Sequence, residues 1–221
     1  MNNKSCRVVV LASGSGSNFQ AFIDETASAA CPYIITGLVS DKPDAFALER
    51  ARKHAIPTTV VPFTDYRNRS DFDAALADAV TAFDADLVIL AGFMRIIGGE
   101  LINRYRGRML NIHPALLPKY KGLHTHQRCL DNGDIHHGTT VHFVTAELDD
   151  GPSIVQAALM VTVDDTASTL NARVQAMEHQ IFPMAARWFA EGRIEMQGEQ
   201  AVLDGIPLAS PVVLREEELL E

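Results

Sequence analysis

The sequence predicts an α/β fold: a doubly wound, mostly parallel sheet with an antiparallel extension in the C-terminal half. In the first half, short β-rich runs alternate with segments of helical periodicity, a pattern typical of parallel sheets. A Gly/Ser-rich loop at residues 13–18 joins the first β-rich run to the first helical segment. In the second half, two β-rich runs flank an acidic turn at residues 147–152, which indicates an antiparallel hairpin. Sheets of the doubly wound kind bind ligands at the carboxyl ends of their strands.

The elements follow in order from hydrophobic periodicity. The first half predicts strands at 7–12, 33–40, 58–61 and 87–91, and helices at 17–27, 45–53 and 70–83, the last with Ser70 and Asp73 as a loose N-cap signal. The second half predicts strands at 109–112, 139–144 and 154–161, a long helix from about Thr166 to Gly192, and a small hairpin at 194–196 and 201–203. We expect Pro183 to kink the long helix.

Composition limits the possible functions. The chain has 221 residues, of which 47% are hydrophobic and 21% charged, and its formal net charge is −9. No apolar run approaches the roughly 20 residues that span a bilayer. The acidic balance disfavours a large nucleic-acid surface, which needs Lys and Arg. Cys6, Cys31 and Cys129 are widely spaced, so we expect free thiols and a reducing cytoplasm.

The loop at residues 13–18 reads Ser-Gly-Ser-Gly-Ser-Asn and precedes a predicted helix. Its glycines allow backbone amides to approach an anion, and the helix N-terminus supplies partial positive charge, so phosphate binding is predicted. Phe19 stands where a dinucleotide fingerprint needs its third glycine, and the Walker pattern is also missing. The alternative is a tight strand-to-helix turn with Ser17 as the N-cap.

Asn111 and His113 lie two positions apart at the end of a predicted strand, so their side chains point to the same side. Asn can donate to a developing oxyanion, and His can act as an acid or base near neutral pH. A catalytic centre and a polar turn before Pro114 both fit this pattern.

Several further polar groups lie near these residues in sequence. The acidic turn carries the carboxylates of Glu147, Asp149 and Asp150. Either one of them reaches His113 and favours its charged form, or the turn is simply solvated. The spacing of the neighbouring histidines matches no zinc pattern, so we expect pocket-lining, surface and structural roles rather than a metal site. These histidines are His124, His126, His136, His137 and His142.

Residues 91–97 leave the strand at 87–91 at its carboxyl end, in an apolar segment that bends at Gly92. Such a segment can wall a pocket for a flat aromatic ligand. Ordinary core packing is the interpretation that the segment favours on its own.

Taken in order, six segments resemble the glycinamide ribonucleotide formyltransferases of purine biosynthesis. They are SGSGSN, AGFMRI, NIHPALLPKYKGLHTH, GTTVHFV, ELDDGP and VQAMEH, and the match runs from the Gly/Ser loop to about Asp204. Each segment is weak alone, but all six in this order are highly specific. One departure is Ala115, where the family usually has Ser, and we expect it to be tolerated because the position is not catalytic.

The resemblance implies a Rossmann-like formyltransferase fold and transfer of a formyl group from 10-formyltetrahydrofolate, a co-substrate, without a metal. Because no Pro/Gly/Ser-rich linker divides the chain, one domain is predicted at 1–204, followed by a tail at 205–221 whose role is open. The resemblance divides this domain into a phosphate-binding half at about 1–105 and a catalytic and folate half at about 106–204. The implied catalytic residues are Asn111, His113 and Asp149. The implied ribonucleotide site is Gly16, Ser17 and Asn18 with Glu178 and the turn before it, Gln175, Ala176 and Met177. The implied folate residues are Arg69, Met94, Arg95, Ile96, Ile97, Asn111, Thr145, Ala146, Glu147, Leu148 and Asp149.

Related functions remain as alternatives. A formyltetrahydrofolate hydrolase would use water as the acceptor, and we expect it to carry a further N-terminal regulatory domain. An initiator-tRNA formyltransferase should carry a further C-terminal domain and a more basic surface. A nucleotide-binding regulatory module without enzymatic activity is also possible on this fold. We expect small-molecule partners only, no nucleic acid or membrane, and a monomer or weak homodimer.

Overall fold

The computed structural model describes residues 5–219, which fall into two compact units that divide between Leu110 and Asn111. The fold class is the predicted one: mostly parallel strands flanked by helices, with an antiparallel extension and a separate small antiparallel sheet. No helix in the described range is long and apolar enough to cross a membrane. Cys6, Cys31 and Cys129 are free thiols, as predicted.

The first unit is built from βα repeats. Its strands are β1 (Cys6–Leu11), β2 (Tyr33–Ser40), β3 (Thr58–Val60) and β4 (Leu87–Leu90), which lie parallel in the order β4-β1-β2-β3. Its helices are α1 (Ser17–Thr26), α2 (Phe46–Lys53), α3 (Arg69–Thr81) and α4 (Gly99–Arg104), with a 3-10 turn at Phe63–Asp65. β1 forms the centre of the core because its last four residues, 8–11, are completely buried. Burial of such β-branched and aliphatic side chains stabilises the unit.

The second unit continues from β5 (Met109–His113), whose last residues belong to it. It contains α5 (Thr125–Asp131), β6 (His136–Phe143), β7 (Ser153–Met160), α6 (Ala167–Ala190), β8 (Ile194–Gln197), β9 (Gln200–Leu203), β10 (Ile206–Pro207), β11 (Val212–Arg215) and α7 (Glu216–Leu219). The sheet order is β11-β7-β6-β5, with β6 and β7 antiparallel and β11 parallel to β7. β8, β9 and β10 form the small antiparallel sheet.

Some local predictions were wrong or incomplete. The N-cap of α3 is Asn68, whose side chain accepts from the Asp71 amide, rather than Ser70. α4, α5 and β11 were not predicted, and β11 shows that part of the segment treated as a tail belongs to the sheet. α6 runs without interruption through Pro183, and its N-cap is Thr166, where the helix was predicted to begin. The kink at Pro183 stays a prediction.

Candidate active site

Asn111 and His113 lie at the carboxyl end of β5, and Asp149 lies in the turn between β6 and β7. The Asp149 carboxylate reaches His113, with Oδ2 3.3 Å from the imidazole Nδ1. Both side chains are almost completely buried. Of the carboxylates in the acidic turn, Asp149 is therefore the one beside His113, whereas Asp150 pairs with Lys121 through Nζ.

Both nitrogens of His113 face hydrogen-bond acceptors. Nε2 lies 2.9 Å from the backbone oxygen of Tyr120, which can only accept, so Nε2 carries a proton. Nδ1 faces the Asp149 carboxylate, which also accepts. This arrangement suits the doubly protonated imidazolium, since only that form donates from both nitrogens.

The backbone holds Asp149 in place. Its φ is 50°, a left-handed conformation that Asp and Asn adopt more readily than most residues. Oδ2 also accepts a hydrogen bond of 2.9 Å from the amide of Gly122. Gly151, just beyond, has no room for a side chain, because a Cβ there would lie 1.8 Å from the backbone oxygen of Phe143. The turn is thus closed tightly enough to fix the direction of the carboxylate.

His142 contacts Asn111, a pairing that sequence reasoning did not find. The Asn111 Nδ2 lies 3.0 Å from the His142 Nε2, and the His142 Nδ1 lies 2.8 Å from the backbone oxygen of Phe143. Burial lowers the pKa of His142, against the opposing effects of the Phe143 hydrogen bond and the Asp149 charge. The available signal was the position of His142 on a β-rich run ending near the acidic turn, but spacing gives no register.

Two buried polar residues, Thr140 and Gln156, form hydrogen bonds with the backbone of the loop after His113. The Thr140 hydroxyl donates to the Ala115 oxygen at 2.6 Å and accepts from the Leu117 amide at 3.1 Å. Gln156 Nε2 donates to the Leu117 oxygen at 2.8 Å. Since the network uses the backbone of residue 115, it needs no hydroxyl from that side chain, which accounts physically for Ala115.

Glu178 lies on α6 with Gln175, Ala176 and Met177, which form the helical turn before it. Glu178 is 7% exposed, and its Oε1 lies 3.3 Å from the Thr139 hydroxyl, which is also 3.0 Å from the backbone oxygen of His113. Thr139 therefore joins Glu178 to the strand that carries the catalytic candidates. Met177 is completely buried, so its side chain belongs to the core.

The Gly/Ser loop of the first unit delivers the amides of Ser17 and Asn18 at the start of α1. The N-cap is Gly16, with φ 67°, so the alternative in which Ser17 caps the helix is wrong. Glycine is required at position 16 for two reasons. The positive φ favours glycine, and a Cβ there would lie 2.7 Å from the Cβ of Ala47. Arg50 Nε donates to the Ser15 oxygen at 2.8 Å, which places a cation beside this loop.

The segment after β4 is partly exposed, in contrast to the core-packing interpretation. Met94 and Ile96 are 62% and 61% exposed, whereas Ile97 is buried. Arg95 pairs with the buried Asp41 at 2.8 Å, and Arg69 donates to the backbone oxygen of Ile96. The structure thus brings the folate candidates of this unit together.

The folate candidates of the second unit lie on the loop between β6 and Asp149. Thr145 is half-buried, while Ala146, Glu147 and Leu148 are exposed. Leu148 is the large apolar side chain of the loop and is 56% exposed.

The histidines divide between the surface and the interior. His124 and His136 are exposed, while His126 Nδ1 lies 2.9 Å from the Nε2 of the buried His137. Burial, and next the charge of a protonated His126, lower the pKa of His137 to about 4. Within residues 5–219, no group of three or more His, Cys, Asp or Glu side chains is placed to hold a metal ion.

Comparison with known proteins identifies close relatives of the chain. The sequence profile of the formyl transferase family matches residues 6–186. The chain is 48% identical over 198 residues to the phosphoribosylglycinamide formyltransferase of Escherichia coli, covering 90% of this chain and 93% of that protein. A solved phosphoribosylglycinamide formyltransferase from Coxiella burnetii superposes with a TM-score of 0.91 at 44% identity, covering 96% of this chain and 100% of that one. A formyltetrahydrofolate deformylase from Pseudomonas syringae superposes with a TM-score of 0.84 at 25% identity, covering 90% of this chain and 66% of that one.

Proposed function

The chain belongs to the formyl transferase family, and we propose that it transfers the formyl group of 10-formyltetrahydrofolate to the amine of 5'-phosphoribosylglycinamide through Asn111, His113 and Asp149. It is an enzyme of de novo purine biosynthesis that moves a one-carbon group. The observation that carries the assignment of the centre is the 3.3 Å contact between His113 and Asp149, at the strand end that also presents Asn111. Strand ends of this kind hold the ligands of doubly wound sheets.

The reaction asks for stabilisation of negative charge. When the glycinamide amine attacks the formyl carbon, the carbonyl oxygen becomes an oxyanion, which an N–H of Asn111 and an N–H of charged His113 can stabilise. In this structure the Nε2 proton of His113 points to the Tyr120 oxygen, so the substrate oxygen has to replace that carbonyl. Asp149 keeps Nδ1 protonated while this exchange takes place.

The reaction also asks for a proton on the departing folate nitrogen, which leaves poorly without one. The His113–Asp149 pair can supply this proton, since it places the acidic imidazolium next to a carboxylate. Asp149 can accept the proton released by the attacking amine and return it through water. This chemistry uses no metal, and activity is expected to survive exhaustive chelation.

We assign binding of the substrate phosphate to Gly16, Ser17 and Asn18, because amides at a helix start attract anions. Glu178, with Gln175 and Ala176 on the same helical turn, is assigned to the rest of the ribonucleotide. Folate recognition is assigned to Arg69, to residues 94–97 and, separately, to residues 145–149. The exposed apolar side chains in these two ranges, Met94, Ile96 and Leu148, suit a flat ring.

A second candidate function is hydrolysis of formyltetrahydrofolate, which the resemblance to the deformylase favours. An assay of tetrahydrofolate release separates the candidates. Formyl transfer should require phosphoribosylglycinamide and should not occur with initiator tRNA. If formate is released without either acceptor as fast as tetrahydrofolate is released with phosphoribosylglycinamide, the protein is a hydrolase instead.

The proposed partners are 10-formyltetrahydrofolate and 5'-phosphoribosylglycinamide, with no nucleic acid or membrane. We place the enzyme in the cytoplasm, as a single domain that works as a monomer or weak homodimer. Sedimentation velocity at several concentrations tests the oligomeric state, and a stable assembly larger than a dimer would contradict it.

A further inference from the structure

His142 lies where the pairing of β6 with β7 changes register. Val141 pairs with Val155, but His142 pairs with Ser153, so the strands contain a bulge at this point. Bulges beside functional sites commonly redirect a side chain. Here the imidazole is 3% exposed, and its Nε2 lies 3.0 Å from the side-chain amide nitrogen, Nδ2, of Asn111.

Two hydrogen bonds define the tautomer of His142. Its Nδ1 lies 2.8 Å from the backbone oxygen of Phe143, and a carbonyl can only accept, so Nδ1 carries the proton. In the neutral ring Nε2 is then a bare lone pair, which accepts from the Asn111 amide. The charged and titratable groups facing the ring are Asp149, with Oδ1 4.0 Å from Nε2, and more distantly His113 and Asp150. Burial outweighs the attraction of the carboxylates, so the ring is neutral near neutral pH.

We propose that His142 is a positioning residue for formyl transfer, which holds the Asn111 amide with its nitrogen turned toward Nε2 so that the second N–H is available to the oxyanion. The inference rests on the proposed function, in which Asn111 stabilises that oxyanion. An Asn amide has nearly the same shape after a half turn, but the turned form offers an oxygen, which repels an oxyanion. The lone pair of His142 selects the useful form, because the turned form would place two acceptors against each other.

Two substitutions and one control test the proposal. His142→Leu removes the acceptor and should lower kcat about tenfold to a hundredfold, a part of the effect of losing one oxyanion donor, with little change in KM for phosphoribosylglycinamide. His142→Gln can place an oxygen near the former Nε2 and should recover most of kcat. His136→Leu, at an exposed position of the same strand, should leave kcat unchanged. Circular dichroism and urea unfolding establish that each variant folds.

A double-mutant cycle gives the sharper result. In an Asn111→Ala background no amide is left to orient, so adding His142→Leu should cost less than about twofold more in kcat. An equal loss in both backgrounds, or a folded His142→Gln no better than His142→Leu, would overturn the inference. Should the Leu variant fail to fold, nitrogen-15 spectra of the wild-type histidines still decide, because a proton on Nε2 instead of Nδ1 excludes the proposed contact.

The cycle also separates this inference from the proposed function. If Asn111→Ala keeps full kcat, the oxyanion role of Asn111 fails, and the positioning role fails with it. If Asn111→Ala loses activity but His142→Leu does not, only the positioning role is overturned.

Discussion

Asp149 shows how one residue combines backbone and side-chain requirements. Its φ of 50° turns the chain, and the same Oδ2 that faces His113 also accepts from the Gly122 amide. A substitution there has to preserve the left-handed backbone before its effect on chemistry can be measured. Asn meets this condition, since it adopts positive φ readily and still offers an oxygen to Gly122.

Asp149→Asn is therefore expected to fold normally and to lose at least about a hundredfold in kcat, because the charge that keeps His113 protonated on Nδ1 is gone. Steady-state kinetics with both substrates measure the loss. Asp150→Asn is the matched control, since Asp150 faces Lys121 rather than His113, and it should change kcat by less than about twofold. Similar losses in the two variants would show that general acidity of the turn, rather than the contact with His113, supports activity.

Gly16 illustrates a second kind of residue requirement, the absence of a side chain. Gly16→Ala has to accommodate both the φ of 67° and a Cβ 2.7 Å from Ala47, so it should lower the free energy of unfolding by about 1–3 kcal/mol and raise KM for phosphoribosylglycinamide. Gly14→Ala, in the same loop, meets no atom within 4 Å and should leave the free energy of unfolding unchanged within about 0.5 kcal/mol. Urea titrations of both variants check the contrast, and equal stabilities would contradict it.

Among the elements, α6 connects several parts of the second unit. Arg173, near its start, pairs with Asp165 before the helix at 2.8 Å and with Glu216 of α7 at 2.6 Å. Thr162 donates to Asp165 through both its amide and its hydroxyl, so this short network ties the end of the β6–β7 hairpin to the chain after β11. The network thereby helps to hold the chain beside β11, which pairs with β7.

Arg173→Met keeps most of the aliphatic length and removes the cation. We expect a loss of about 1–3 kcal/mol in the free energy of unfolding, between the values for exposed and buried pairs, because Asp165 is left almost fully buried without its cation. Arg187→Met on the same helix, whose pair with Glu191 at 3.7 Å is more exposed, should lose less than about 1 kcal/mol. The prediction fails if chemical denaturation gives the two variants the same stability.

Sequence reasoning found the elements whose signal is local. β1 and β2 are rich in β-branched and aliphatic residues, and α6 has a long apolar stripe, so each was predicted within a few residues. β11 was missed because its strand character depends on pairing with β7, far away in the sequence. α5 was missed because it is a short helix that begins after His124, which has a positive φ, and neither feature gives a periodic pattern.

The same limit applies to the site. Asn111 and His113 were found together because alternation along a strand is a local rule, but the partner carboxylate remained open until the turn could be placed in space. His142 was visible in the sequence only as one of several histidines. Its contact with Asn111 depends on strand register and on a bulge, which local spacing does not encode.

At the scale of the whole molecule, buried histidines make stability depend on pH. His137 is 1% exposed, and burial with repulsion from His126 lowers its pKa to about 4, while the Asp134 charge opposes the shift. The ordinary value of about 6.5 applies to the unfolded chain. Between these values the unfolded chain binds a proton that the folded protein does not, so folding is favoured less as the pH falls.

The contribution is complete above about pH 6.5 and is lost progressively toward pH 4, at about 1.4 kcal/mol per pH unit. Urea unfolding at about pH 7 and about pH 5 should therefore show a loss of about 2 kcal/mol that comes from His137. In His137→Gln the side chain cannot titrate but can still hydrogen-bond to His126. The difference in the free energy of unfolding between the two pH values should therefore shrink by about that amount. Some dependence remains, because burial also lowers the pKa of His126.

His136→Gln is the matched control for this prediction, since it makes the same change at the preceding, exposed position of β6. Its loss of stability between the two pH values should equal that of the wild type, because His136 is exposed and lies outside the His126–His137 contact. If His137→Gln keeps the full wild-type loss, the proton that destabilises the fold binds elsewhere, and the His126–His137 pair does not set the acid limit of the protein.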